Sequence, residues 1–391
     1  MERLYLDNAA TTALRPEVLE GMLPFLTTSY ANPSSMHSSG QRVQRALSAA
    51  RKRTAEAVGA RPDEIVFTSG GSEADSLATF GSMTGSFARA HFITSAIEHH
   101  AVLHAADALR ARGHKVTVVP VDHDGLVSED ALKAALDGTP SVVSIMHGNN
   151  EIGTIQDIAR LASLTHEHGG IFHTDAVQTV GHVPVDVRVL GIDALSLSGH
   201  KFEGPKGVGA LFVRKDIALT PLIVGGGQEG GRRSGTENVP GIVGLSIALS
   251  LAVKELPETQ PRVTTLRDSL MNGILASIPE SALNGSRTSR LPNNVNVRFA
   301  HIEGDTIVVG LDLAGIEIST GSACSSGSLD PSHVTQALGL EPAAARGSIR
   351  ISLGRANTQA DVDRVLLVLP PLVARLRGLA GALTVEGARG S

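Results

Sequence analysis

Seven short apolar runs, at residues 64–68, 91–94, 116–119, 142–146, 171–174, 194–197 and 209–213, alternate with stretches of helical periodicity, and no other feature constrains the fold as much. Alternation of this kind predicts an α/β fold in which a mainly parallel sheet is wrapped by helices. Residues 41–58 and 156–168 carry apolar side chains at helical spacing and fit the covering helices. Almost every polar motif falls just after one of the apolar runs. Ligands in open α/β sheets bind beyond the carboxyl ends of the strands, so those motifs are expected to converge on one site.

At 391 residues, 42% of them hydrophobic, the chain is long enough for two domains. A helix over 241–253 leads into Glu255-Leu256-Pro257-Glu258, which reads as a boundary. The expected division is a large domain over 13–255 and a smaller α+β domain made of 1–12 and 256–391. The smaller domain would hold strands at 293–299 and 348–352 and a final helix at 359–376, with a frayed tail after Gly378.

The formal net charge of −5 and a charged fraction of 19% give no sign of a nucleic-acid or membrane-surface binder, and small soluble ligands fit better. The first twelve residues lack a basic segment followed by an apolar one, so a cytoplasmic location is expected. The apolar stretch at 241–253 falls short of the roughly 20 residues a bilayer span requires, and no membrane helix is predicted. The single cysteine, Cys324, can form no internal disulfide; a metal ligand, a nucleophile and an inert core thiol are all open readings. His166-Glu167-His168 has no third ligand at familiar spacing, so a solvated helix end is expected there and no metal site.

Three segments carry chemistry. Phe67-Thr68-Ser69-Gly70-Gly71-Ser72-Glu73 is a strand running into glycines and a helix start, which suits a phosphate cup of backbone N–H groups and the Ser72 hydroxyl; alone, it reads more readily as a serine-capped helix after a glycine turn. Asp175 closes an apolar strand and Gln178 follows three positions later. The carboxylate could keep a pyridine nitrogen protonated and the glutamine could donate to a ring oxygen, although a helix N-cap at Asp175 is as good a reading of the isolated segment. In Ser198-Gly199-His200-Lys201, an amine sits at a strand end among small polar residues, the setting of a Schiff-base lysine; Lys206, between Pro205 and Gly207, reads as a solvated turn.

This last segment resembles the cofactor-lysine segment of cysteine desulfurases, which are class V members of the fold-type I pyridoxal-phosphate (PLP) enzymes. The resemblance spans nearly the whole chain. It runs from Tyr5-Leu6-Asp7-Asn8-Ala9-Ala10-Thr11-Thr12 through Glu98-His99-His100-Ala101-Val102, Asn149-Asn150-Glu151-Ile152-Gly153, Arg233-Ser234-Gly235-Thr236-Glu237-Asn238 and Gly321-Ser322-Ala323-Cys324-Ser325-Ser326-Gly327 to Ser348-Ile349-Arg350-Ile351-Ser352. The cysteine segment is similar to the IscS/NifS group rather than the SufS-like group.

The resemblance implies a fold-type I PLP transferase, with a seven-stranded sheet in the large domain, that converts L-cysteine to L-alanine and leaves the sulfur as a persulfide on Cys324. It implies Lys201 as the Schiff-base lysine and proton acceptor, Asp175 at the pyridine nitrogen and Gln178 at the ring hydroxyl. Gly71, Ser72, Ser198 and His200 would hold the phosphate, and Thr236 would reach the phosphate of the other subunit of a homodimer with shared sites. His99 would stack on the ring and assist proton transfer, its position relative to Ala101-Val102 favouring it over His100. Asn150 and Arg350 would hold the substrate carboxylate. An iron-sulfur scaffold is the expected sulfur acceptor. The glycine- and serine-rich setting of Cys324 suits a mobile loop that carries the persulfide outward. Selenocysteine lyase and class V aminotransferase are the competing readings; neither needs a thiol on such a loop.

Overall fold

The computed structural model describes residues 3–83, 90–320 and 331–387. Its strands, in chain order, are β1 (Leu4–Tyr5), β2 (Ile65–Thr68), β3 (His91–Ser95), β4 (Val116–Val119), β5 (Ser141–Ser144), β6 (Ile171–Asp175), β7 (Ala194–Ser198), β8 (Gly209–Val213), β9 (Ser281–Leu283), β10 (Asn294–Phe299), β11 (Ile316–Glu317) and β12 (Ser348–Ser352). Seven of them form one sheet in the order β2-β8-β7-β6-β5-β3-β4. All neighbours in it run parallel except β8, which is antiparallel to both β2 and β7. Each of the seven apolar runs of the sequence becomes one of these strands. Six are buried along their whole length, as a sheet covered by helices on both faces requires, and only β4 at the edge is partly exposed.

Two further sheets stand apart: antiparallel β12-β10-β9 and the parallel pair β1-β11. The larger hydrophobic core gathers around the seven-stranded sheet and includes Phe67, Ile145, Phe172, Leu195 and Leu249. A second core contains Leu4, Leu6, Val263, Leu270, Val297, Ile351 and Leu369, so the first residues of the chain pack with the last third.

The helix does not end at Glu255–Glu258, although the two cores meet on either side of that segment. A single helix, Val239–Ser277, runs through with Pro257 and Pro261 inside it. An interior proline removes an N–H and usually breaks a helix at a cost of ~3 kcal/mol. Here both flanks are anchored: Leu245, Ala248 and Leu249 are buried in the larger core, and Val263, Leu266 and Leu270 in the smaller. By length and composition this helix could cross a membrane, yet 56% of its most apolar window is buried inside the fold, and it is a core helix. The last helix likewise runs past Gly378, over Gln359–Gly387.

Five strands of the sheet deliver the carboxyl edge that matters. From the ends of β2, β3, β5, β6 and β7 the chain enters Gly70-Gly71, Glu98-His99, Asn149-Asn150, Asp175 itself and His200-Lys201, respectively. The segment after β1 crosses from the smaller core to the same edge, fixed by the Ser352 hydroxyl, which accepts from the Ala9 N–H at 2.8 Å.

Candidate active site

A cavity of about 540 Å³ opens at that edge, and Gly71, Ser72, His99, Asn150, Asp175, Gln178, Ser198, His200, Lys201 and Arg350 all line it. These ten positions are spread over 280 residues of sequence and come together because each follows a strand of the sheet or, for Arg350, lies on β12 facing it.

One end of the cavity is built for an anion. The helix Gly71–Ser82 begins after Gly70, and no side chain caps its first amides. Ser72 is therefore not an N-cap, and its hydroxyl stands beside Ser198 and His200 in a shared recess. Free first-turn N–H groups at the positive end of a helix dipole favour a phosphate. A β-carbon on Gly71 would sit 2.8 Å from Val177 Cγ2, so the close approach of this helix to the β6 turn depends on glycine. His200 bonds the Thr11 hydroxyl through Nδ1 at 3.1 Å, and burial, then the charges of Lys201 and Lys206, push its pKa down to about 4. The neutral imidazole can donate one N–H to an anion. Lys206 is exposed, in agreement with a turn lysine.

Deeper in, Asp175 is buried at the end of β6, where its Oδ1 accepts from the Val177 N–H at 2.9 Å and no helix begins. Burial raises its pKa, against the opposing pull of His99 and Lys201. Lys201 Nζ donates to the carbonyls of Ala9 and Ala10 at 2.7 and 2.8 Å, and Gln178 Nε2 donates to Ala9 at 2.9 Å. His99 is the N-cap of the helix His100–Ala111: its Nδ1 accepts from the Ala101 N–H at 3.1 Å, which places the proton of the neutral ring on Nε2. Burial pushes the His99 pKa down.

At the far wall Arg350 is buried, ion-paired to Asp7 through Nη2 at 2.6 Å and donating to the Asn150 carbonyl through Nη1 at 2.9 Å. Its Nε is buried with no hydrogen-bond partner, a donor waiting for an acceptor in the cavity wall. The fit to PLP is thus direct: an anion cup, a buried carboxylate, an amine and a guanidinium line a single cavity.

Thr236 is exposed and does not line this cavity, although Arg233 three residues earlier is ion-paired to Glu73 at 2.8 Å beside the anion cup. Cys324 lies outside the described residues. Among the described residues no group of three or more His, Cys, Asp or Glu could hold a metal ion. His166, Glu167 and His168 are exposed at the end of the helix Ile158–Glu167, the solvated helix end expected there; His166 Nε2 also meets the buried Asp193 carboxylate at 2.7 Å, which raises the histidine's pKa.

Sequence reasoning missed several cavity residues. Glu98, and Asp7 behind Arg350, stood inside segments already singled out, but nothing in the sequence marked Asp7, which does not itself line the cavity, as the arginine's partner or Glu98 as a buried carboxyl, bonded to Ser95 and the Met146 N–H and raised to about 8 by burial. Asp75 lies one helical turn beyond Ser72 and faces the cavity with it. His333 enters from the short helix His333–Ala337, whose Val334 packs with Ile97, Met146 and Ile152, and it bonds the Glu98 carbonyl at 2.9 Å; no local signal announces it.

Residues 4–365 match the model of the family described as aminotransferase class-V. The chain is 51% identical over 378 residues, 96% of this chain and 93% of the relative, to a Methanosarcina thermophila protein named cysteine desulfurase IscS. It is 49% identical over 378 residues, 96% of both chains, to a protein of the same name from Dictyoglomus turgidum. Among solved structures, a NifS-like protein superimposes with a TM-score of 0.90 at 38% identity, covering 96% of this chain and all of the other.

Proposed function

The chain belongs to the aminotransferase class-V family and is a PLP-dependent cysteine desulfurase, and from that premise we propose how its own residues divide the work and where the sulfur goes. The observation that carries the reading is the single cavity in which ten separately recognisable residues meet.

When bound, PLP supplies a carbonyl that joins the substrate amine and a ring that accepts the electrons left by the departing α-proton. Gly71, Ser72, Ser198 and His200 would hold its phosphate, Asp175 would keep the ring nitrogen protonated, Gln178 would donate to the ring hydroxyl and His99 would stack on the ring. Lys201 anchors the cofactor through its amine and, once freed by substrate, takes the α-proton at Nζ. Arg350 and Asn150 hold the substrate carboxylate. The Cys324 thiolate attacks the substrate sulfur; the carbon–sulfur bond breaks, a persulfide remains on Cys324, and a proton delivered with the help of His99 completes alanine.

The enzyme works as a homodimer in which Thr236 completes the neighbouring phosphate site. Leu19, Leu23 and Leu26 are exposed on the helix Pro16–Thr27, and Tyr30, Met36 and Val224 are exposed elsewhere; large apolar side chains left in solvent suit burial against a second copy of the chain. Ile223 is hydrogen-bonded to Ser234 in the segment that carries Thr236. The acceptor of the persulfide is an iron-sulfur scaffold protein, a reading supported by the IscS names of the relatives, and the setting is the reducing cytoplasm, where a lone cysteine stays a thiol.

Cys324→Ser tests the centre of this proposal. The variant should bind PLP and still change its absorbance on addition of cysteine, while alanine release and protein-bound persulfide fall to background. Alanine production at the wild-type rate without added thiol would replace the desulfurase step by simple elimination.

A further inference from the structure

Behind Asp175 the cavity wall contains a carboxyl to which the proposed chemistry gives no task. Asp75, on the buried face of the helix Gly71–Ser82, is 1% exposed, lines the cavity, and has one oxygen, Oδ1, with no hydrogen-bond partner. The groups around it come from three elements. From β6 come Asp175, its strongest electrostatic neighbour, and His173, whose Nε2 lies 3.8 Å from Oδ1. From β7 comes the Ser196 hydroxyl, which faces both Asp75 and His173. From the segment after β3 comes Glu98, a second buried carboxyl.

None of these gives Asp75 a positive partner. His173 is clamped between the hydroxyls of Ser144 at 2.8 Å and Ser196 at 2.9 Å, and burial pushes its pKa down to about 3, so it stays neutral. The cations of the site, Lys201 and the ring of His99 when protonated, act on Asp175 instead. Asp75 and Asp175 line the same cavity, and Ser196, which Asp75 faces, is the register partner of Asp175 on β7; two buried carboxyls so placed do not both ionise, because each charge loses its water and repels the other. The one with cations in front of it keeps the charge and the one without them keeps the proton.

We propose that Asp75 is a positioning residue which holds the proton of a buried carboxyl pair, so that Asp175 is the sole anion presented to the pyridine ring. One charge at the ring nitrogen, rather than two, would set how firmly that nitrogen keeps its proton. Burial and the neighbouring Asp175 both drive the Asp75 pKa far above the usual aspartate range, in the direction this assignment requires.

The test uses the full-length holoenzyme with its aspartates labelled at the carboxyl carbon, which separates them from Glu98 and from the cofactor in infrared difference spectra. At pH 7 the wild type should show a protonated aspartic-acid band that is absent from Asp75→Asn. A spectrum with no protonated aspartate at pH 7 would overturn the proposal without recourse to any variant. Asparagine mimics the neutral acid, so the cofactor absorbance of Asp75→Asn should match the wild type at neutral pH. The denaturation midpoint of the variant should rise above the wild-type value as pH increases from about 4, since only the wild type must hold a proton against the solvent. If Asp75 were ionised, the substitution would remove a charge from the cavity wall: the cofactor absorbance would shift at pH 7 and the midpoint gap would not grow with pH. Either of those two results refutes the assignment; a midpoint lowered equally at every pH would indicate packing alone and refute it as well.

Discussion

Replacing Arg350 by lysine keeps the charge and removes the fork. In the wild type, the guanidinium spends Nη2 on Asp7 at 2.6 Å and Nη1 on the Asn150 carbonyl at 2.9 Å, and retains a buried, unpartnered Nε. In the proposed role, a substrate carboxylate would satisfy that Nε and share the Nη2 edge. Lysine offers one compact ammonium: it can follow Asp7 or the substrate, and it cannot present a planar pair of donors. The loss is that of a charge-assisted hydrogen bond, ~1.5–3 kcal/mol. At ~1.4 kcal/mol per decade this lowers kcat/KM for cysteine roughly 10- to 150-fold, mainly through KM, because the contact holds substrate and transition state alike. Arg350 lies apart from the anion cup and from Asp175, so the PLP absorbance of the variant should be unchanged. Alanine release measured over a range of cysteine concentrations gives both constants. An unchanged KM, or a loss confined to cofactor binding, would show that Arg350 is a structural partner of Asp7 and not the carboxylate site.

Three further outcomes are expected. Borohydride reduction of the PLP-loaded protein followed by peptide mass spectrometry should tag Lys201; a tag on the exposed Lys206 would overturn the assignment. Mixing Thr236→Ala with Lys201→Ala subunits should create heterodimers with one doubly impaired and one intact site, and absence of recovered activity despite confirmed subunit exchange would end the shared-site reading. Glu98→Gln should stabilise the protein above pH 5 relative to wild type. The folded Glu98 keeps its proton to about 8 while the unfolded one loses it near 4.5, so wild-type stability falls across that window and the variant's does not. At ~1.4 kcal/mol per pH unit the gap has a ceiling of ~5 kcal/mol; denaturant unfolding at pH 4.5 and pH 8 measures it, and equal gaps at the two pH values would contradict the neutral carboxyl.

Much of this protein is local, and what is local was legible. The seven apolar runs define their strands because a strand buried on both faces needs no partner to be recognised, only a short stretch of Val, Ile, Leu and Phe between turn signals. Gly71, Asp175 and Lys201 could be singled out because each sits where its strand ends, and a strand end is a property of the sequence. Chain continuity at Pro257 was not legible in the same way: proline argues for a break, and only the burial of Leu249 on one side and Val263 on the other keeps the helix whole. Charge states were beyond the sequence for the same reason. Asp175 and Asp75 are the same residue type, one three positions before Gln178 and the other three positions after Ser72, and nothing near either one distinguishes an anion from a proton carrier. On the proposed assignment, that difference arises when β6, β7 and the helix Gly71–Ser82 bring Lys201 and His99 to face one carboxyl and leave a neutral histidine, a serine and two further carboxyls around the other. The sequence by itself determined which groups are available; the tertiary structure decided their charges, because desolvation and Coulomb interactions depend on distance in space and not on separation along the chain.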